Sequence, residues 1–478
     1  MNKQEQLNKL LHEAFGFTAA EDERNLLPQF FTQTRNYLEF LSGSYDIVLG
    51  LKGSGKSAML LFTYHEWVER RVLQDKFLIL ANSVSGTPVF EETLRDTEEA
   101  DEYKALLAWR SYLLSVLSGE LPEEVFRKSR TLKEWQSELR KLGLWFSKGD
   151  ELRKRWDTVI SRLNGLRRIK ARSDLGFTPT GGVTGGGVEF EAEFSDDPSL
   201  RNFPKASELY RLMEMADKGF GEANIEVWIL MDRLDLIYHD DPKVEKIIMR
   251  SLLETYRTMR HFKNMKLKVF LRSDLFEDAT AEGFRNLDHL YPSITKIYWD
   301  SDGLMRLIQK RVDQVLGSEI RFLPENMGRG PAWSWIYNRL TLFPEGEESV
   351  SPRDVIVFLN MAINKEMSYA QENNTLLSPK SLKEAFPEFS KWRLQMAYSE
   401  VRGLQEILNE ISKRGLRSKV KRAKMEEIFG SGFVNRELRI LKRAGALKEL
   451  REGQYDYQFA EVFARALELL RPDRRTEG

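Results

Sequence analysis

The chain contains no cysteine among its 478 residues, which excludes disulfide bonds, thiolate metal sites and cysteine nucleophiles. It also has no excess of either charge, because 73 Lys and Arg residues balance 73 Asp and Glu residues. Such a balance gives no general attraction to nucleic acid or membrane surfaces. No run approaches 18 uninterrupted apolar residues, and residues 1–6 lack the apolar region of a signal peptide. We therefore expect no membrane association and a cytoplasmic location.

The most informative segment that is present is rich in glycine and follows the apolar residues 47–49. Residues 50–57 read G-L-K-G-S-G-K-S and match the phosphate-loop pattern G-x-x-x-x-G-K-[S/T]. Glycine permits positive-φ turns and close approach of backbone N–H groups to a triphosphate, and a helix over 58–72 would add partial positive charge. Lys56 is expected to reach the β- and γ-phosphates and Ser57 to bind Mg²⁺. The candidate nucleotide contacts are Gly50, Gly53, Ser54, Gly55, Lys56, Ser57 and Leu60. The alternative is a surface loop that matches by chance.

A carboxylate that coordinates the metal is expected after a second buried strand. Residues 225–231 are a near-continuous apolar run, typical of a strand buried on both faces of a parallel sheet, and Asp232 follows it. We assign Asp232 to Mg²⁺, directly or through water, and Asp235 to the attacking water. Arg233 stands where many such ATPases carry Glu, so we expect slow hydrolysis or Asp235 as the displaced acid. The alternatives are a turn cap at Asp232 and a solvated loop acid at Asp235.

Three further segments read as strands, at 76–84, 267–275 and 294–299, and a helical pattern over 243–262 precedes the second of them. Five strands separated by helices predict a doubly wound parallel sheet. Arg272 ends the fourth strand and is either a phosphate sensor or an ion-pair partner of Asp274 or Glu277. Arg285, between the fourth and fifth strands, is a candidate arginine finger for a neighbouring subunit.

Two segments interrupt this core. Residues 87–170 are helical by their apolar spacing and predict an insertion that packs on the sheet. From 148 to 172 the chain has nine Lys and Arg residues against three acidic ones, which indicates either a nucleic-acid face or solvated helix charge. Residues 176–194 read as a mobile glycine loop followed by an alternating strand, or as a linker.

Helices dominate after the sheet. Ser351 and Pro352 suit the N-cap and the first turn of a helix that runs to residue 361. Arg353 would then lie near the helix start, either over the nucleotide or as a surface arginine.

The C-terminal part is basic, with 13 Lys and Arg residues against four Glu residues between 411 and 451. Helices at 404–413, 421–429 and 434–444, then strands at 447–450 and 455–459, predict a winged helix-turn-helix. Its third helix would meet DNA phosphates, or the module docks a protein. The candidate DNA contacts are Asn435, Arg436, Arg439, Lys442 and Arg443.

The chain length fits more than one core. We expect a fold of the α/β class in five regions, namely 1–86 (an N-terminal segment and the start of an ATPase core), 87–175 (a helical insertion), 176–300 (the rest of the core), 301–400 (a helical lid) and 401–478 (a winged helix).

Four of these pieces, residues 50–57, 231–235, 270–275 and 351–354, occur in an order that resembles one group of proteins. They look like prokaryotic P-loop ATPases with a D-R-L-D Walker B sequence, akin to the STAND, KAP and origin-recognition branches of the AAA+-like ASCE class. The resemblance covers roughly residues 15–365, and the winged helix fits it. It implies an inner strand order 5-1-4-3-2, ATP as the nucleotide, and a nucleotide-dependent oligomer or switch. It also implies a role in defence against phage or in DNA maintenance, whereas the transmembrane helices usual in KAP members have no counterpart here.

From these features we expect a Mg²⁺-dependent ATPase that acts as a molecular switch, oligomerises and signals to an effector protein, with slow hydrolysis if Asp235 does not replace the missing Glu. The alternative is an ATP-dependent protein of DNA maintenance that binds duplex DNA through the winged helix. A GTPase is disfavoured, because the Asn-Lys-x-Asp guanine motif is absent from the sequence.

Overall fold

The computed structural model describes the chain apart from residues 18, 24, 82–97, 165, 174–187, 195–202, 235–240, 282–283, 285–286, 319, 329, 370–374, 434–435, 452 and 469–478. The chain forms two compact units. The sheet unit comprises residues 35–50 and 59–297, and the helical unit comprises residues 1–34, 51–58 and 298–478. The phosphate-loop segment 51–58 thus groups with the helical unit, although it directly follows a strand of the sheet unit.

After three N-terminal helices, the elements alternate between strand and helix before the insertion and again after it. Up to residue 80 they are α1 (Lys3–Lys9), α2 (Leu27–Phe30), α3 (Arg35–Leu41), β1 (Ile47–Gly50), α4 (Lys56–Val68) and β2 (Lys76–Leu80). The chain between β2 and α9, which includes the predicted insertion, contributes α5 (Glu98–Glu120), α6 (Glu123–Arg127), α7 (Arg130–Lys141), α8 (Leu152–Asn164), β3 (Leu166–Ser173) and β4 (Val188–Phe194). The rest of the sheet unit contributes α9 (Ala206–Glu222), β5 (Glu226–Met231), α10 (Pro242–Met259), β6 (Met265–Arg272), α11 (Ser273–Thr280) and β7 (Ile294–Lys296).

The sheet confirms the predicted topology. The described strands pair in the order β2-β5-β6-β1-β7, all parallel, which is 5-1-4-3-2 when the strands are counted along the chain. Strands β1 and β5 are almost wholly buried, as their apolar sequences predict for a sheet covered on both faces. The chain therefore has an α/β fold of the P-loop NTPase type. Strand ends differ from the sequence prediction, since β7 ends at Lys296 and β6 ends at Arg272, where α11 begins.

The insertion is helical over most of its described length. Trp109, Tyr112, Leu113 and Val116 of α5 are fully buried, and the Trp109 indole N–H donates to the Ile248 carbonyl of α10 at 2.9 Å. The prediction of helix up to residue 170 is wrong at its end, because β3 begins at residue 166 and pairs antiparallel with β4. The sequence signal for β3 is the period of two in residues 168–172, where charged and apolar residues alternate.

The helical unit combines a helical lid with a C-terminal winged helix, as the sequence predicts. The lid contains α12 (Ser301–Leu316), α13 (Ala332–Leu340), α14 (Pro352–Met367) and α15 (Pro379–Glu400). The winged helix contains α16 (Leu404–Lys413), β8 (Lys419–Val420), α17 (Arg422–Phe429), α18 (Glu437–Arg443), β9 (Leu447–Glu449), β10 (Tyr457–Phe459) and α19 (Glu461–Ala466). Its strands form an antiparallel sheet in the order β8-β10-β9. The sequence prediction missed β8, which has only two residues and therefore no readable period.

Candidate functional site

The carboxyl edge of the parallel sheet brings three predicted site positions together within the sheet unit. Gly50 at the end of β1 is level with Arg272 at the end of β6, and Met231 at the end of β5 is level with Val269 on the other side of β6. Strands β1 and β5 flank one strand and therefore lie about 10 Å apart across the sheet, which is two strand spacings. Strand β5 also ends three residues, or about 10 Å along the strands, before β1 does, because Met231 and Ile47 are both level with Val269. Asp232 follows Met231 directly and is only 6% exposed.

The backbone turns sharply after Asp232. Arg233 has a φ of +60°, a left-handed conformation that is uncommon for residues other than glycine. Such a turn ends β5 abruptly at the edge of the sheet, which keeps the Asp232 carboxylate at the strand end. Asp235, the other predicted acid of this segment, lies outside the described residues, as does Arg285.

Arg272 is engaged by a carboxylate close to it in the sequence. Its Nε and Nη2 atoms donate to Asp274 Oδ1 at 3.0 Å and to Oδ2 at 2.6 Å, and its side chain is 14% exposed. The ion pair with Asp274, one of the two roles predicted for Arg272, is therefore formed. A bidentate pair of this kind fixes the guanidinium plane beside the end of β6.

The phosphate-loop segment, described within the helical unit, has the backbone that its glycines permit. Gly53 and Gly55 have φ values of +82° and +96°. The Lys56 ammonium donates to the Leu51 carbonyl at 2.9 Å, so the lysine closes the loop on itself. Helix α4 starts at Lys56, which places its N-terminal N–H groups at the loop. Leu60, a predicted nucleotide contact, is fully buried.

Three contacts from the lid side hold this loop. The indole N–H of Trp299 donates to the Ser54 carbonyl at 2.8 Å, and the backbone N–H of Arg353 donates to the Gly53 carbonyl at 3.4 Å. The Lys52 ammonium lies 3.4 Å from Glu400 Oε1. Sequence reasoning found Arg353 but missed Trp299 and Glu400, because nothing local in the sequence links position 299 or 400 to a loop about 250 to 350 residues away.

The start of α14 forms as the sequence predicts. Ser351 is the N-cap and its Oγ accepts from the Asp354 N–H at 3.0 Å, with Pro352 in the first turn. This cap places Arg353 in the first turn, where its backbone reaches the phosphate loop.

A buried acid and base accompany this helix start. Arg393 Nε lies 3.6 Å from Asp354 Oδ2, and Arg393 Nη1 donates to Glu400 at 3.2 Å. Burial raises the pKa of Asp354 even though Arg393 opposes that shift. Burial alone would lower the pKa of Arg393, but Asp354 and Glu400 together raise it. Arg393 therefore stays charged between two carboxylates.

The predicted DNA contacts differ in how available they are. Arg436 and Arg439 are exposed, whereas Lys442 lies 2.9 Å from Glu449 and Arg443 is half-buried. Asn435 lies outside the described residues. Of these positions, Arg436 and Arg439 are the ones best placed to meet a partner.

Two features of the described residues concern metal binding and membrane spans. Among the described residues no group of three or more His, Asp or Glu side chains is arranged to hold a metal ion. A Mg²⁺ bound to a nucleotide does not need such a group, because one or two carboxylates, the phosphates and water molecules complete its coordination. Within the same described part of the chain, no helix has the length and apolar character needed to cross a bilayer.

No family model matches this chain, and no curated protein matches it in sequence. Among solved structures, the Orc1 protein of Aeropyrum pernix in complex with DNA aligns with 94% of this chain and 91% of its own, at 11% identity and a TM-score of 0.35. The Orc2 protein of the same organism, as ADPNP–ADP complexes and in an ADP form, aligns over the same shares at 13% and 12% identity, with TM-scores of 0.40 and 0.33. At TM-scores below 0.5 these likenesses establish neither a ligand nor a partner for this chain.

Proposed function

We propose that this protein is a Mg²⁺-dependent ATP-binding and ATP-hydrolysing switch. The observation that carries the proposal is the sheet order β2-β5-β6-β1-β7, in which the strand leading into the G-x-x-x-x-G-K-S segment is separated from the strand leading into Asp232 by one strand. This order supports a nucleotide site, because ligands of open α/β sheets bind at the carboxyl ends of the strands.

In this proposal the residues of the loop and of the strand ends have separate roles. Backbone N–H groups of residues 50–57 and the Lys56 ammonium bind the β- and γ-phosphates. Ser57 and Asp232 are the proposed protein ligands of Mg²⁺, whose bound charge neutralises those phosphates, and their hard oxygen atoms suit that ion. Asp235 is the proposed orienting group for the attacking water, and Arg272 and Arg353 are proposed to respond to the γ-phosphate.

Removal of the loop lysine tests this function. We expect Lys56→Ala to abolish ATP binding measured by calorimetry, because it removes the cation that pairs with the β- and γ-phosphates. Lys141→Ala is the matched control, since Lys141 is an exposed helix lysine paired with Glu138 at 2.7 Å. A Lys56→Ala protein that keeps the parent melting temperature and binds ATP as tightly as the Lys141→Ala protein would contradict the proposal.

A second candidate function is DNA binding through the winged helix. Two exposed arginines support it, Arg436 at the N-cap of α18 and Arg439 within that helix. The net positive charge of residues 411–451 supports it as well. In this alternative the ATP site regulates contact with duplex DNA. The two candidates differ in their readout, because a DNA-independent switch changes its assembly state with ATP whether or not DNA is added.

We further propose that the switch assembles with partners. A homo-oligomer with Arg285 as a finger, an effector protein and a role in anti-phage defence are supported by the sequence resemblance alone. Light scattering after size exclusion, with ADP, ATP and a slowly hydrolysed analogue, each with and without DNA, separates an oligomerising switch from a DNA-binding protein.

A further inference from the structure

The lid and the winged helix share one hydrophobic core. Buried residues from α12 to α19 form a single cluster, and α15 packs against α19. The Phe343 N–H donates to the Gly445 carbonyl at 2.9 Å, and Lys448 lies 2.8 Å from Glu348 and over the Phe343 ring. Gly445 allows this approach, since a Cβ at that position would lie 3.1 Å from Leu342 Cβ. A movement of the lid therefore carries the winged helix with it.

The phosphate loop is attached to this body at two neighbouring residues. Gly53 accepts a hydrogen bond from the start of α14, at Arg353, while Lys52 pairs with Glu400, the last residue of α15. Arg393 of α15 connects the two attachments, because it contacts both Asp354 and Glu400. The contacts close a ring in which the charges of Lys52, Glu400, Arg393 and Asp354 alternate in sign.

One member of the ring is open to a competing anion. Lys52 is 38% exposed at its side chain, whereas the side chains of Glu400, Arg393 and Asp354 are 13%, 11% and 8% exposed. In the proposed ATP site, backbone N–H groups of residues 50–57 bind the phosphates, and Lys52 belongs to this segment. Charges interact over roughly 8 Å at physiological ionic strength. A bound triphosphate would attract the Lys52 ammonium and repel the Glu400 carboxylate. Both effects weaken the pair.

We propose that the Lys52–Glu400 ion pair couples occupancy of the phosphate loop to the position of the lid and winged helix. Without nucleotide the pair fastens the end of α15 to the loop, and ATP releases it. This inference rests on the proposed ATP site. Because such coupling is reciprocal, a change that breaks the pair also changes the affinity for ATP.

The lack of cysteine allows two labels to be placed without background. Ser137→Cys on α7 and Gln405→Cys on α16 are exposed positions, one in each unit. Spin labels at these sites report the distance between the sheet unit and the winged helix by pulsed electron resonance. We expect this distance to differ between the nucleotide-free protein and the complex with a slowly hydrolysed ATP analogue.

Two variants that break the pair give different expected results. Glu400→Gln removes the competitor for Lys52, so the nucleotide-free distance should match that of the ATP state. ATP should also bind about fivefold more tightly, the low end of typical coupling between two sites. Lys52→Gln should shift the distance in the same way without the gain in affinity, because the attracting cation is lost. Glu406→Gln, on the exposed face of α16, is the control for loss of one carboxylate.

The outcomes separate this inference from the proposed function. If the parent protein binds no ATP, the proposed function fails. If the parent binds ATP but its label distance is unchanged by ATP, the coupling is overturned while the ATP site stands. The same conclusion follows if well-folded Glu400→Gln and Lys52→Gln proteins match Glu406→Gln in both distance and affinity.

Discussion

A Cβ atom added at Gly53 would lie 2.8 Å from Cβ of Arg353 and 3.1 Å from Oγ of Ser351. The cap of α14 thus sits against the phosphate loop with no room for a side chain between them. Gly53 is therefore required here for two reasons. A side chain would not fit against the cap, and a φ of +82° is costly for any residue with a Cβ. The loop sequence that fits a phosphate consequently also fits the lid helix.

This double requirement predicts an unequal effect of two alanine substitutions in one loop. Gly53→Ala should lower the free energy of unfolding by about 2–5 kcal/mol, the sum of left-handed strain and overpacking. Gly55→Ala, where φ is +96° but no atom lies within 4 Å of an added Cβ, should cost only the strain, about 1–2 kcal/mol. Nucleotide-free thermal unfolding measures both. Equal melting temperatures for the two variants would show that the contact with Arg353 is not close in solution.

The N-terminal segment depends on a buried ion pair. Arg311 of α12 donates to Glu23 through Nη1 at 2.7 Å and Nη2 at 2.8 Å, and both side chains are almost fully buried. Glu23→Gln leaves the guanidinium without its charge partner, so we expect a loss of about 3–5 kcal/mol in denaturant unfolding. The control is Glu39→Gln, whose partner Arg35 is 90% exposed, and it should leave stability unchanged within error. Equal, small effects of the two variants would contradict a buried pair.

The residues alone predict the parallel sheet, because strands buried on both faces have continuous apolar runs, whereas its strand order is predicted only by the family resemblance. The sequence also predicts the cap at Ser351, since capping depends on a few adjacent residues. It does not predict the contacts of Trp299 and Glu400 with the loop, which depend on how distant helices pack. The sequence predicts helix over the first part of β3 because an insertion of helices precedes it and only five of its residues alternate.

The attachment of the first helix should depend on pH. Glu366 is buried and accepts hydrogen bonds from Lys3 Nζ at 2.7 Å and Ser378 N at 2.8 Å. Burial would raise its pKa, but the hydrogen bonds from Lys3, Ser378 and Ser381 outweigh it and lower the pKa. An acid whose pKa is lowered on folding contributes stability above its unfolded value, about 4.3, and that stability is lost as the pH falls through its folded value.

Glu366→Gln should therefore destabilise the protein at pH 7 and make its stability fall less steeply than that of the parent below about pH 5. Urea unfolding at pH 7, 5 and 3.5 measures this difference. Glu388→Gln, on the exposed side of the same lid, is the control, because Glu388 is 54% exposed and pairs with Lys365. If the Glu366→Gln and parent curves stay parallel at all three pH values, the Glu366 carboxylate does not have a lowered pKa.

The winged helix offers the sharpest separation of the two candidate functions. Arg439 is exposed on α18, whereas Lys424 on α17 is held by Glu427 at 2.8 Å. If the module binds duplex DNA, Arg439→Ala should weaken binding several-fold and reduce the slope of log affinity against log salt by about one, because one phosphate contact is lost. Lys424→Ala should leave the slope unchanged, since its charge is already neutralised. Fluorescence anisotropy over a series of salt concentrations measures both slopes.

The parent protein could instead show no salt-dependent binding of DNA while its assembly state responds to ATP. That result would assign the winged helix to protein contacts, because a basic surface that met DNA phosphates would necessarily release counterions.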